Sequence, residues 1–210
     1  MSTSVYVIGA GGQAKVVIRA LLESNCSVAG VFDDQIDLQK TSILGVPVIG
    51  LIDDIQQQPA YPVIVGIGDN RTRQAIVQRL DVEWATVIHP SAVVDPTVKL
   101  GVGSVVMAGA VIQVDTFIHD HVIVNTAASV DHDCVIGNFS HVAPGAHLAG
   151  ECRIGDGVLI GVGAAVIPQI EIGEWTVVGA GAAVVNNVPS DQVVAGVPAR
   201  QMMKYHESDG

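Results

Sequence analysis

Beginning at Ile88, every sixth residue is aliphatic: Ile88, Val94, Leu100, Val106, Ile112, Ile118, Val124, Val130, Ile136, Val142, Leu148, Ile154, Ile160, Val166, Ile172, Val178 and Val184. No residue is inserted or skipped across nearly half the chain. Such a run is very improbable by chance even in a chain that is 49% hydrophobic. A six-residue aliphatic period is the signature of a parallel β-helix. Three hexads then make one triangular coil of about eighteen residues, and each aliphatic side chain stacks on the one a coil earlier. The residues two before each of these positions are mostly small or β-branched (Ala92, Ser104, Ala110, Thr116, Ala128, Cys134 among them), which suits tight inner corners.

At 210 residues the chain has room for one or two domains and a substantial core. Its apolar excess comes from short Val, Ile and Ala runs broken by Gly, Asp and Asn, and no uninterrupted span is long enough to cross a bilayer. The chain opens on a strand-like VYVIG without a basic segment or a small-residue cleavage site, so no signal peptide is expected. Cys26, Cys134 and Cys152 lie far apart with no metal-like spacing. They read as buried small hydrophobes of a reducing compartment, which points to the cytoplasm. A formal net charge of −11 argues against nucleic acid and anionic membranes as partners. An anionic small ligand would have to be met by local cations (Lys15, Arg19, Arg71, Arg73, Arg153, Arg200, Lys204) or by backbone N–H groups.

Ahead of the hexads, residues 4–8 form an apolar strand that runs into Gly9-Ala10-Gly11-Gly12-Gln13. Apolar residues at helical spacing follow, and a second strand over Ser27–Phe32 ends at Asp33-Asp34. This β–glycine-rich turn–α–β unit puts a helix N-terminus beside a turn that a phosphate can approach. The match to a dinucleotide fingerprint is literal, but the residues before the solenoid suffice for one mononucleotide-binding half only. A further strand over Tyr61–Ile67 ends at Gly68-Asp69-Asn70-Arg71-Thr72-Arg73, and Gln74–Leu80 continues as a helix. The sequence therefore predicts a Rossmann-like α/β half over residues 1–85, a parallel β-helix over 86–188 and a C-terminal cap over 189–210, with a short helix over Ala199–His206.

One polar constellation stands out on the solenoid. Asp131-His132-Asp133 flanks an imidazole with carboxylates, and His141 follows half a coil later. Carboxylates hold an imidazole in one tautomer and raise its basicity, which suits a general base near neutral pH. A metal site is disfavoured, because adjacent residues of an extended coil point in alternate directions and cannot converge on one ion. Cys134, at a small inward position, is expected to be inert. His89, His119, His121 and His206 are expected at solvated or turn positions, and His147 has no assigned role.

Taken together, the Gly-x-Gly-Gly turn, the hexads with Asp131-His132-Asp133-Cys134-Val135-Ile136-Gly137, Ser140-His141-Val142, Ala149-Gly150 and Gly196-Val197-Pro198-Ala199 resemble the bacterial sugar-nucleotide O/N-acetyltransferases. These include sialic-acid O-acetyltransferase-like proteins and UDP-4-amino-sugar N-acetyltransferases. The resemblance spans essentially the whole chain. It implies a left-handed β-helix, a homotrimer, and acetyl-CoA bound in the groove between two solenoids, with no metal. The expected reaction is N-acetylation of a nucleotide-linked 4-amino-4,6-dideoxy sugar, UDP-linked in preference to GDP-linked. O-acetylation of a sialic acid and a non-catalytic scaffold are the alternatives.

By the same resemblance His132 matches the general base and Asp133 the acid that makes it more basic. Asn125, His141, Gly150, Val162 and Ala180 match acetyl-CoA contacts, with Asn125 also placing the amine and Gly150 offering an N–H near the thioester oxygen. Gly11, Gly12 and Gln13 match the phosphate or sugar loop, Asp33 and Asp34 the base and ribose contacts, and Gly68, Asn70 and Arg73 the second binding turn. Family members often carry His where this chain has Gln13, a side chain that hydrogen-bonds but does not titrate.

Overall fold

The computed structural model describes residues 4–58 and 61–202. Its N-terminal lobe is a five-stranded sheet with β1 at Ser4–Ile8, β2 at Ser27–Phe32, β3 at Ser42–Ile43, β4 at Val46–Gly50 and β5 at Val63–Val65. The strand order is β3-β4-β2-β1-β5, parallel except for the β3–β4 hairpin. Helices α1 (Gly12–Glu23) and α2 (Asn70–Arg79) start just beyond the carboxyl ends of β1 and β5. That end of a parallel sheet is where ligands bind in such folds. Gly66 lets β5 and α1 approach, since a Cβ there would lie 2.8 Å from the Ala14 Cα.

From Val87 onward the chain winds as a three-sided prism of two-residue strands. The first face carries six parallel strands: Val93–Val94, Val111–Ile112, Ser129–Val130, His147–Leu148, Ala165–Val166 and Ala183–Val184. The second carries five, from Lys99–Leu100 to Glu171–Ile172, and the third runs from Val87–Ile88 through Ile123–Val124 and His141–Val142 to Val177–Val178. Partners in the ladders from Val87 to Val184 are eighteen residues apart, as Ile112 with Val130 and Ile136 with Ile154. The aliphatic residue of each hexad points inward and stacks with its neighbours in one continuous core. Each is worth about 1.5–3 kcal/mol of burial.

The small residues two positions earlier are buried as well, and the polar ones bond to the next turn. The hydroxyls of Ser104, Thr116 and Ser140 donate to the carbonyls of His119, Asp131 and Gly155, fifteen residues on. Ile88 departs from the pattern at 42% exposed, because no earlier coil lies beneath it. The lobes join where Val87, Val105 and Met107 pack with Val5, Val7 and Leu21 of the sheet and α1.

The C-terminal end differs from expectation. Instead of a helix over Ala199–His206, Arg200–Gln201 forms a strand antiparallel to Val193–Ala195, which itself extends the third face. A hairpin pairs the open edge of the last coil more completely than a helix laid across it would. Residues 203–206 of the expected helix lie outside the described residues.

Candidate active site

His132 sits in the turn between the first and second faces. Asp133 there has φ of 57°, so the turn curls and does not alternate as an extended chain would. The two adjacent side chains therefore meet, with His132 Nδ1 2.8 Å from an Asp133 carboxylate oxygen. Asp131 turns back to accept from the His132 N–H at 2.9 Å. The Asp133 hydrogen bond raises the His132 pKa, reinforced by the charges of Asp131, Asp133 and Glu151. With Nδ1 held by a carboxylate, the lone pair of the neutral ring is on Nε2, and the side chain is 48% exposed. The ring lies over Gly150, one coil on: a Cβ at Gly150 would be 2.5 Å from Cε1 and 2.6 Å from Nε2. Gly150 is thus the floor on which the imidazole rests.

Asn125 lies in the turn between the third and first faces, and Val162 and Ala180 share that edge in later coils. The Asn125 side-chain amide is 3.0 Å from His141 Nε2, and its oxygen accepts from the Thr126 N–H at 2.8 Å. His141 Nδ1 faces the Gly68 carbonyl at 3.3 Å. These two contacts fix a neutral ring that donates from Nδ1 and accepts at Nε2. Burial, with the nearby Arg73 charge, lowers its pKa to about 4. His141 is therefore a fixed hydrogen-bonding group and not a base at neutral pH.

In the N-terminal lobe no side chain caps α1, so its first-turn N–H groups stay open beside Gly11 and Gly12. A Cβ at either glycine would meet nothing of the protein within 4 Å, so the space they leave faces outward. Gln13 Nε2 is buried without a partner among the described residues. Asp33 ties the loop, accepting from the N–H groups of Ala10 at 2.7 Å and Gln35 at 2.8 Å. Asp34 accepts from Ile52 N–H at 2.9 Å and from Arg79 at 3.0 Å. A cleft of about 490 Å³ opens beside these carboxylates, with Ile52, Ile67 and Ile76 among its walls and Arg79 at its rim.

Asn70 and Arg73 require correction. Both were expected on the sugar nucleotide, and both are instead buried against the solenoid, Arg73 at 1% exposed with every guanidinium nitrogen hydrogen-bonded. The solenoid carbonyls they bond belong to turns far away in sequence, so no local signal distinguishes this from phosphate binding. His121 sits in a turn, one of the two expected settings, but is not solvated: it is 4% exposed, stacked on Phe139 and edge-on to Trp84. Burial lowers its pKa to about 4, and its Nδ1 has no partner among the described residues. His89 pairs with Glu23 at 2.8 Å, tying the end of α1 to the first coil.

Comparison with known proteins accounts for both lobes. Residues 4–80 match the PglD N-terminal domain family, and residues 151–186 match the bacterial transferase hexapeptide family (six repeats). A variant of perosamine N-acetyltransferase from Caulobacter crescentus, in complex with CoA and GDP-perosamine, shares 41% identity at a TM-score of 0.91, over 96% of this chain and 97% of that one. The chain belongs to the nucleotide-sugar N-acetyltransferase family of left-handed β-helix proteins. The acetyltransferase domain of PglB from Neisseria gonorrhoeae is similarly close, at 39% identity and a TM-score of 0.90 over 96% and 100% of the two chains. UDP-N-acetylbacillosamine N-acetyltransferase from Bacillus subtilis is 38% identical over 114 residues, 50% of this chain and 51% of that protein. An uncharacterized mimivirus protein, L142, matches at 36% over 127 residues, 59% of this chain. The matches thus span 25% and 51% of these curated relatives' lengths.

Two further features bear on how this member of the N-acetyltransferase family works. Cys134, next but one to His132, is fully buried, and its thiol donates to the Ala149 carbonyl at 3.3 Å, as Ser140 does to Gly155. Contact with Cys152 and burial push its pKa up, so it is no nucleophile. Among the described residues no three His, Cys, Asp or Glu side chains are grouped to hold a metal, and no helix is long and apolar enough to cross a membrane. Sequence reasoning passed over Arg79 and Glu151. Arg79 is recognisable only through its pairing with Asp34 and Asp53, and Glu151 only once the coil length places it one coil on from Asp133, where its charge acts on His132.

Proposed function

We propose that this chain transfers the acetyl group of acetyl-CoA to the amine of a nucleotide-linked 4-amino-4,6-dideoxy sugar. The observation that carries the reading is the imidazole of His132, held at Nδ1 by Asp133 and open at Nε2 on the rim of the prism. In a ternary complex the neutral amine attacks the thioester carbonyl and a C–N bond forms. The ammonium proton passes to His132 Nε2, the C–S bond breaks, and the sulfur of CoA leaves and takes up a proton. Asp133 stabilises the imidazolium formed in between. The CoA and GDP-perosamine in the Caulobacter structure supply the ligand classes for this reading.

The reaction is shared between copies. His132 lies on one edge of the first face, and Asn125, Val162 and Ala180 lie on the other. In a homotrimer with that face turned to the axis, the His132 edge of one copy meets the Asn125 edge of the next. The open N–H groups of Gly12 and Gln13 would receive the diphosphate or sugar, and the cleft at Asp33 and Asp34 the base and ribose. Residues 1–85 as the nucleotide lobe, 86–188 as the acyl-transfer lobe and 189–210 as the cap complete this reading, with the cytoplasm as its setting.

The test presents UDP- and GDP-linked 4-amino sugars, and free sialic acid, with acetyl-CoA and follows thiol release. Release with an amino-sugar nucleotide supports the proposal. Release only with the hydroxyl acceptor would replace it with O-acetylation, and none with any acceptor would point to a scaffold.

A further inference from the structure

The polar part of the joint between the lobes at α2 is built on one edge of the prism, the turn between the second and third faces. The third position of that turn carries His121, Phe139, Gly157 and Trp175 in successive coils. All four have positive φ, from 56° to 66°, which lays the three rings along the edge. The Phe139 ring lies on His121 with centroids 5.3 Å apart and planes 3° from parallel. Gly157 leaves the space that Trp175 fills: a Cβ there would come within 2.4 Å of the indole. The first turn of α2 docks on this ladder. Arg71 stacks 4.3 Å from the Trp175 ring, and Asn70 donates to the Gly157 and Val158 carbonyls at 3.1 and 3.2 Å.

Arg73 goes furthest in. Its Nε donates to the His121 carbonyl at 2.9 Å, and Nη2 donates to Asn70 Oδ1 at 2.8 Å and to the Phe139 carbonyl. Its Nη1 donates to the carbonyls of Ile67 at 3.0 Å and Gly68 at 3.2 Å. Among the described residues no carboxylate bonds to it. Burial brings its pKa down to about 10, so it remains charged at neutral pH. A buried cation surrounded by carbonyls is a costly way to fasten two lobes, and an apolar plug would serve packing as well. What the guanidinium adds is direction. The Gly68 carbonyl that it holds is the one facing His141 Nδ1, and His141 Nε2 in turn meets Asn125.

Resting on the function proposed above, we propose that Arg73 is a positioning residue for acetyl transfer. It locks the Ile67–Gly68 turn of the nucleotide lobe to the coil that carries His141, so that acceptor and thioester meet in one geometry. The chain of contacts runs from Arg73 through Gly68 and His141 to Asn125, and it reaches the acyl side without Arg73 touching either substrate.

Arg73→Lys keeps the charge but not the fork. Its kcat/KM for the acceptor should fall on the order of 10- to 100-fold, the cost of a misplacement near 1 Å. The affinities for acetyl-CoA alone and free nucleotide alone, by calorimetry, should be retained. Nitrogen-15 NMR should show the His141 ring losing its single Nδ1–H tautomer. Arg71→Ala, which removes the Trp175 stack and leaves Gly68 alone, should lower Tm with kcat/KM kept. Should Arg73→Lys fail to fold, Asn70→Ala removes one anchor of the guanidinium and should give the same split at smaller amplitude. Wild-type kinetics and an unchanged His141 tautomer in the Arg73 variant would overturn the proposal. So would an equal loss of kcat/KM in Arg71→Ala, which would make the joint merely structural. If the wild type acetylates no amino sugar, the proposed reaction fails, while the calorimetric and NMR arms still decide the coupling.

Discussion

Gly150→Ala is the smallest change that moves the imidazole proposed as the base. The new Cβ would sit 2.5 Å from His132 Cε1, against 3.4 Å for ordinary contact, so the ring has to retreat by roughly 1 Å. It is free to do so, because its side chain is 48% exposed. Gly150 is outside the left-handed region, so alanine adds no backbone strain there. By restricting the unfolded chain it stabilises by about 0.4–1 kcal/mol. A shift of that size in a catalytic group costs about 100-fold, or roughly 2.7 kcal/mol of barrier. The variant should therefore lose activity on that scale with Tm unchanged or slightly raised. Thiol release from acetyl-CoA and a thermal melt measure the two. Alanine keeps the Gly150 N–H, so a role limited to donating that N–H would leave turnover intact. A Gly150→Ala enzyme working at the wild-type rate would refute the placement of His132 over Gly150 as the reactive one.

Two other perturbations test the electrostatics. Asp133 raises the His132 pKa, so the base is lost as pH falls through a value above the ordinary 6.5. Asp133→Asn should move the acid limb of kcat/KM to lower pH and drop its plateau by roughly tenfold; an unmoved limb would contradict the pairing. His121 and His141 are held neutral with pKa values of about 4 against 6.5 in the open chain. Below pH 6.5 the unfolded chain takes up protons that the fold refuses, so stability should fall from there toward pH 4 and then level. His121→Phe should leave Tm at pH 7 unchanged or higher and roughly halve that slope; parallel Tm–pH curves for the two proteins would contradict it.

The solenoid was legible because its inward side chains recur at a fixed interval, and burial of one hexad position implies burial of the next. The site was legible where chemistry is local. His132 and Asp133 are adjacent, and the αL backbone of Asp133 brings their side chains to 2.8 Å. Legibility failed where a residue's surroundings come from other coils or the other lobe. Arg73 in sequence is a cation after a strand, indistinguishable from a phosphate ligand; only the carbonyls of His121 and Phe139 show otherwise. His121 is buried because Gly103, eighteen residues earlier, leaves room for its ring. The C-terminal hairpin escaped notice because Arg200–Gln201 has no strand-like composition and is extended only by pairing with Val194 and Ala195.

Trimers assembled from two variants each expected to lose most turnover, His132→Ala and His141→Ala, test the shared cleft most directly. If each site takes His132 from one copy and His141 from its neighbour, every mixed trimer regains one intact site in three, and random assembly restores about a quarter of wild-type acetyl transfer. A mixture as inactive as its two components would place the whole site within a single copy and contradict the account.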